Sequence, residues 1–236
     1  MQLVEIKKNN TGTGLLIEND GYIAMDKGEN KKLYESIRMN EGLEGGAGWN
    51  IPKPFVVSAV FQKFDIENAN GRIYPEAVLK AQVEKYMEKI ADRRGYGETN
   101  HPEDSSINLS RIGMNIIELH WEGHTLVGQI EIPVSEGFRR FGIVSTTADE
   151  VANLLINNLK IGVSSRGVGS VEQKYGKYLV GEDYELICWD VVSDPSTPNA
   201  WISPNQEELQ QYVESKAPEK NTLLEKLDRF NDWLIK

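Results

Sequence analysis

The chain has 236 residues, 39% hydrophobic and 26% charged, with a formal net charge of −10, which fits a soluble globular protein with one substantial core and appendages. No apolar run approaches the roughly 20 residues of a membrane-spanning helix, and the acidic balance argues against a general nucleic-acid binder, whose phosphate contacts call for clustered Lys and Arg. The single cysteine, Cys188, excludes an intramolecular disulfide framework and CxxC metal sites, and Met1-Gln2-Leu3-Val4-Glu5 lacks the basic-then-apolar pattern of a signal peptide, so a reducing cytoplasm is the expected setting.

Residues 1–52 are rich in Gly, Asn, Lys and Glu and end in Gly42-Leu43-Glu44-Gly45-Gly46-Ala47-Gly48. Weak periodicity there predicts a loosely ordered arm with one hairpin, Leu15-Leu16-Ile17 against Tyr22-Ile23-Ala24. Residues 53–204 carry the strand signals, beginning with the β-rich run Phe55-Val56-Val57-Ser58-Ala59-Val60-Phe61. Pro75 then opens a helix with Val78, Leu79, Val83, Tyr86 and Ile90 on one stripe. The basic cluster from Lys89 to Arg94 closes it, where positive charge complements the helix dipole.

Ile112 to Leu119 and Leu126 to Ile132 read as strands joined across Glu122-Gly123, and Thr147 to Leu159 as a second amphipathic helix. Further strands are expected at about 160–165, 169–173, 178–181 and 184–192, with Tyr175-Gly176-Lys177 as a turn. Six or seven strands with two helices between them predict a mainly β, α+β fold, an antiparallel barrel or sandwich with helices outside. Residues 205–236 read as a C-terminal helical segment split by Pro218. In it Leu223, Leu224, Leu227, Phe230 and Leu234 recur at helical spacing, fit for packing on the domain, self-association or docking to a partner.

The chemistry is expected around Gly162-Val163-Ser164-Ser165-Arg166-Gly167, read as a strand end opening into a glycine turn. Alternation puts Ile161, Val163 and Ser165 on one face and Gly162, Ser164 and Arg166 on the other. The first set looks core-facing, which leaves Ser164 to meet solvent and substrate and Ser165 to bond within the site. A serine needs an adjacent base. Of three histidines, His120 and His124 flank a hairpin tip that does not bring both rings onto one face for a metal. His101 lies in the polar loop Gly97-Glu98-Thr99-Asn100-His101-Pro102, its backbone restricted by Pro102.

In Tyr184-Glu185-Leu186-Ile187-Cys188-Trp189-Asp190-Val191-Val192, alternation places Leu186, Cys188 and Asp190 on one apolar face. An aspartate there needs a partner; a histidine ring, Arg166 or a backbone amide would each serve. Arg166 and the backbone N–H groups around Gly167 are candidates for holding an oxyanion. A metal hydrolase built on Glu98, His101 and Asp104 would lack a convincing third nitrogen or sulfur ligand.

Four segments, Asn68-x-Asn70-x-Arg72-x-Tyr74-Pro75, Gly97-Glu98-x-Asn100-His101-Pro102, Gly162-Val163-Ser164-Ser165-Arg166-Gly167 and Asp190-x-x-x-x-Pro195-Ser196-x-Pro198-x-Ala200-Trp201, resemble in order and spacing the prohead core protein proteases of large tailed phages. The resemblance covers roughly residues 53–204, the expected protease domain. That family is similar in turn to the herpesvirus maturation proteases, which implies a mostly antiparallel seven-stranded barrel ringed by helices. The resemblance implies a serine protease with Ser164 as nucleophile and His101 as base. Asp190 is the expected third member and Glu98 the alternative; Ser165, Arg166 and Gly167 would support the oxyanion.

It further implies that scaffold or core proteins and capsid proteins are the substrates, inside the immature head in the host cytoplasm. No cofactor, nucleic acid or membrane is involved, and self-association is open. Relatives of this kind often cut after a glutamate preceded by a hydrophobic residue two positions earlier. Leu16-Ile17-Glu18 and Leu33-Tyr34-Glu35 are therefore candidate autoprocessing sites. A non-enzymatic scaffold or capsid-associated protein that keeps the fold is the rival reading, against which the presence of His101, Ser164 and Asp190 weighs.

Overall fold

A computed structural model describes residues 3–18, 21–23, 32, 51, 53–102, 104–157 and 159–193. Within them the strands are β1 (Gly12–Ile17), β2 (Gly21–Ile23), β3 (Phe55–Lys63), β4 (Arg72–Ile73), β5 (Tyr96–Glu98), β6 (Ile112–Glu122), β7 (Thr125–Ile132), β8 (Gly162–Lys174), β9 (Lys177–Val180) and β10 (Glu185–Val192). They are interrupted by α1 (Glu76–Ala91), α2 (Glu136–Phe141), α3 (Thr147–Ile156) and a short 3-10 helix, Leu109–Arg111. The strands join in the order β4-β9-β8-β2-β3-β7-β6-β5, with β1 and β10 also paired to β8. Every ladder is antiparallel except β4 with β9. The fold is mainly β with few helices, as expected.

The closed barrel implied by the resemblance is not completed by ladders among these strands. Where β5 runs out, Thr99 and Val191 form an isolated parallel bridge, and the Asn100 N–H donates to the Val191 carbonyl at 2.8 Å. These contacts help bring the end of β5 to β10, next to the candidate base.

The core grows from alternation on the strands and one stripe on each longer helix. Leu79, Gln82, Val83 and Tyr86 are the buried residues of α1, and the rings of Phe61 and Tyr86 meet Trp189 of β10 edge-on, with centroids 5.4 and 4.9 Å away. Helix α3 starts in a reciprocal cap. The Thr146 hydroxyl accepts from the Asp149 N–H and the Asp149 carboxylate accepts from the Thr146 N–H, which satisfies donors that a helix start leaves unpaired. Lys89, expected only to complement the dipole of α1, donates to the Ile187 carbonyl at 2.9 Å; Arg93 pairs with Glu131.

Two sequence expectations change here. β1 and β2 do not form a hairpin: both lie along the same side of β8, β1 opposite residues 166–171 and β2 opposite 162–163. These strands fall inside the segment read as a loosely ordered arm. Short and separated by polar residues, they gain their order from β8, far away in sequence. Also, β8 is one continuous 13-residue strand, whereas two strands separated by a glycine turn were expected; Gly167 and Gly169 lie within the ladder. Apart from residues 3–11, 18, 32 and 51, the rest of the expected arm lies outside the described residues, as does the expected C-terminal helical segment, 205–236.

Candidate active site

Antiparallel pairing sets Asp190 of β10 directly opposite Ser164 of β8, so both side chains leave the same face. The His101 loop then crosses that face. His101 Nδ1 lies 2.9 Å from Asp190 Oδ2, and Nε2 hydrogen-bonds Ser164 Oγ. Since an ionised carboxylate only accepts, Nδ1 carries the proton towards Asp190 and the bare Nε2 accepts from the serine hydroxyl. Ser164 and Asp190 are fully buried, and the His101 side chain is 10% exposed. Solvent exposure of Ser164 was expected; the continuous strand and its neighbours bury it instead, while its predicted face, shared with Arg166, is observed.

The loop owes its path to Gly97, Glu98, Thr99 and Asn100. A Cβ at Gly97 would overlap the Trp189 carbonyl, so β5 approaches β10 only with glycine there. The Glu98 N–H donates to Asp190 Oδ1 at 3.0 Å. Thr99 and Asn100 are tied to Val191 as described, and Asn100 takes a left-handed φ of 59°, which Asn tolerates better than most residues. That reversal turns His101 over Asp190.

Arg166 occupies the far side of the carboxylate. Nε and Nη2 lie 2.9 and 3.3 Å from Asp190 Oδ2 and Oδ1, and Nη1 donates to the Asp104 carbonyl at 2.6 Å. The guanidinium is fully buried and lies 3.7 Å from a Glu98 oxygen. It is therefore committed to Asp190 and the His101 loop. The main chains of Arg166 and Gly167 pair with β10 on one side and β1 on the other. The expected oxyanion role for Arg166 and Gly167 gains no support from this geometry: the guanidinium is engaged by Asp190 and the loop, and both main chains lie between β10 and β1. Ser165 points to the opposite face, beside Tyr184.

Burial pushes the Asp190 pKa up, but the His101 hydrogen bond, the Arg166 charge and the Glu98 N–H more than offset this and hold it below the ordinary carboxylate value. Burial, reinforced by Asp190, drives the Cys188 thiol well up; Cys188 donates to Asp190 Oδ1 at 3.2 Å as a neutral group. Glu98, the alternative third member, accepts from the Asn108 N–H and lies 3.7 Å from Arg166 Nη2. A register shift between Leu186 and Cys188 sets them opposite Gly167 and Arg166, hence on different faces. The expected common face therefore holds only for Cys188 and Asp190; a β-bulge at Ile187 breaks the alternation.

The residues weighed for metals do not converge. His120 pairs with Glu118 and Glu122, His124 packs on Phe64, and Asp104 binds the N–H of Ser106. Among the described residues no group of three or more His, Cys, Asp or Glu could hold a metal ion, and no helix is long and apolar enough to cross a membrane. Sequence reasoning missed the buried Glu18 with its partners, because strand signals alone do not reveal a carboxylate held by a distant loop.

With a serine, a histidine and an aspartate so arranged, comparison with known proteins is informative. Residues 15–211 match the model of the prohead core protein serine protease family. The chain belongs to that family. It is 27% identical over 198 residues to the prohead core protein protease of Enterobacteria phage T4, covering 83% of this chain and 87% of the relative. The fold is similar to the solved structure of the bacteriophage T4 capsid assembly protease, with a TM-score of 0.53 and 23% identity over 75% of this chain and 96% of that one. Family membership makes the chain a protease of phage prohead maturation and gives the four recognised sequence segments a common context.

Proposed function

We propose that the chain is a serine endopeptidase that cleaves the core or scaffold and capsid proteins of an immature phage head. The observation that carries this reading is the hydrogen-bonded series Ser164 Oγ, His101 Nε2, His101 Nδ1, Asp190 Oδ2. His101 takes the Ser164 proton as Oγ attacks the scissile carbonyl, and later returns it to the leaving amine. Asp190 keeps the imidazole in the required tautomer and stabilises the imidazolium. Arg166 holds the carboxylate ionised and in place.

Autoprocessing is part of the proposal, but at Leu16-Ile17-Glu18 it is disfavoured. That tripeptide runs through β1 into Glu18, which is fully buried. Leu33-Tyr34-Glu35 lies outside the described residues and is the remaining candidate of the two. The test is incubation of purified wild-type, Ser164→Ala and His101→Ala proteins with phage core and capsid proteins, with and without a chelator. Cleavage by the wild type alone, indifferent to chelator, supports the reading. Equal cleavage by Ser164→Ala removes the serine mechanism, and no cleavage by any of them favours the non-enzymatic rival.

A further inference from the structure

The segment Asn68-x-Asn70-x-Arg72-x-Tyr74 is recognisable in sequence yet contributes nothing to the serine, histidine and aspartate. Its four side chains converge on one carboxylate. Arg72 Nη1 lies 2.5 Å from Glu18 Oε1, and the Tyr74 hydroxyl donates to the same oxygen at 2.9 Å. Asn68 and Asn70 donate to Oε2 at 2.6 and 2.8 Å. Asn70 also donates to the Ile17 carbonyl at 3.0 Å, and Arg72 to the Ile6 carbonyl. Glu18 is fully buried and Arg72 is 1% exposed. Four donors on a buried carboxylate make a costly, geometrically exact arrangement.

Its location gives it a use. Along one side of β8 the pairing passes from β1, which ends opposite Arg166, to β2, which begins opposite Val163. The handover leaves Ser164 and Ser165 between the two ladders. There the Glu18 N–H donates to the Ser165 carbonyl at 2.7 Å. A second route runs through the rings: Tyr74 meets Tyr184 edge-on at 5.1 Å, and Tyr184 lies so close under β8 that a Cβ at Gly167 would overlap it. Glu18, Tyr74, Tyr184 and the 165–167 main chain thus form a closed brace beside the nucleophile.

We propose that Glu18, gripped by Asn68, Asn70, Arg72 and Tyr74, is a positioning residue for Ser164, acting through the Ser165 main chain. This rests on the serine-protease reading for its catalytic consequence, while the brace itself does not. An error of about 1 Å in the placement of a reacting group costs up to roughly a hundredfold in rate. Among the described residues, the Glu18 N–H is the donor that meets the nucleophile strand between the two ladders.

The test uses the full-length chain carrying Glu18→Ala, Glu18→Gln, or Glu18→Leu together with Arg72→Met. Assays run at a temperature where circular dichroism and calorimetry show each protein fully folded. In the single variants kcat falls roughly ten- to hundredfold with KM unchanged within about twofold, because binding is left intact while attack is misaligned. The double variant removes both buried charges, so its melting temperature recovers towards wild type while kcat stays low. Hydrogen exchange of the peptide covering residues 162–167 accelerates in every variant. Recovery of kcat in parallel with melting temperature would reduce Glu18 to a purely structural group. Unchanged exchange at 162–167 would overturn the brace outright. If the wild type cleaves nothing, the exchange result still decides the brace, and the functional reading is what fails.

Discussion

Replacing Arg166 by Met tests the electrostatic frame of the site. The side chain keeps its approximate length and apolar stem but loses the guanidinium, which makes two contacts to Asp190 and one to the Asp104 carbonyl. Both Asp190 and Glu98 are fully buried, so two carboxylates lose a common cation. Breaking a buried pair by removing one partner costs about 3–5 kcal/mol, out of the roughly 5–15 kcal/mol that holds a domain folded. At about 2–4 °C per kcal/mol for a domain of this size, the melting temperature drops by roughly 6–20 °C. Urea titration should show a lower midpoint with an unchanged slope.

The pH dependence supplies the sharper signature. Asp190 has a folded pKa below its ordinary value of 3.8, so the stability it contributes is complete above that value and is lost as pH falls through the lower folded value. Without Arg166 that contribution shrinks. The gap between wild type and Arg166→Met should therefore be widest above pH 4 and narrow below pH 3.8 as the carboxylate is neutralised. A loss under about 1 kcal/mol, or a gap independent of pH, would mean that Arg166 and Asp190 are not a buried charge pair.

Three further outcomes follow from the same geometry. Asp190→Asn should fold yet lose about 10³- to 10⁴-fold in kcat, since an amide donor facing Nδ1 favours the wrong imidazole tautomer; steady-state cleavage of a core-protein substrate reads this, and a loss under tenfold would remove Asp190 from the mechanism. Gly167→Ala forces a methyl into the Tyr184 ring and should cost about 1–3 kcal/mol in urea unfolding, with a neutral result refuting the close approach. Mass spectrometry of folded wild-type protein after prolonged incubation should find no chain beginning at residue 19, because Glu18 is buried in its cradle. Appearance of that fragment before unfolding would contradict the packing of β1.

Much of the site was legible in the sequence because local rules govern it. Alternation placed Ser164 and Arg166 on one face, and the apolar surroundings of Asp190 demanded a partner. The neighbourhood of Pro102 marked His101 as held. Asp190 did not have to choose among its three expected partners: it binds the histidine, the arginine and the Glu98 amide together. Where the reading went astray, a non-local cause intervened. Gly167 suggests a turn because glycine usually marks one, but Tyr184 packs against that stretch of the strand and leaves no room for a side chain. The bulge at Ile187 moved Leu186 to the other face, and no local composition signals it. β1 looked like part of an arm because its partner is about 150 residues away.

The sequence by itself determined the elements with strong periodicity, α1, β6, β7 and much of β8 and β10, and singled out Ser164, His101 and Asp190, which the structure brings together. Hydrophobic period and residue type are properties of short stretches, so they survive without a fold. Tertiary structure decided which atoms meet. It turned Arg166 from an oxyanion donor into the anchor of Asp190, buried the serine expected at the surface, and enclosed Glu18 within a cradle beside it. Those outcomes depend on register and on contacts between residues distant in the chain, and only the folded sheet specifies them.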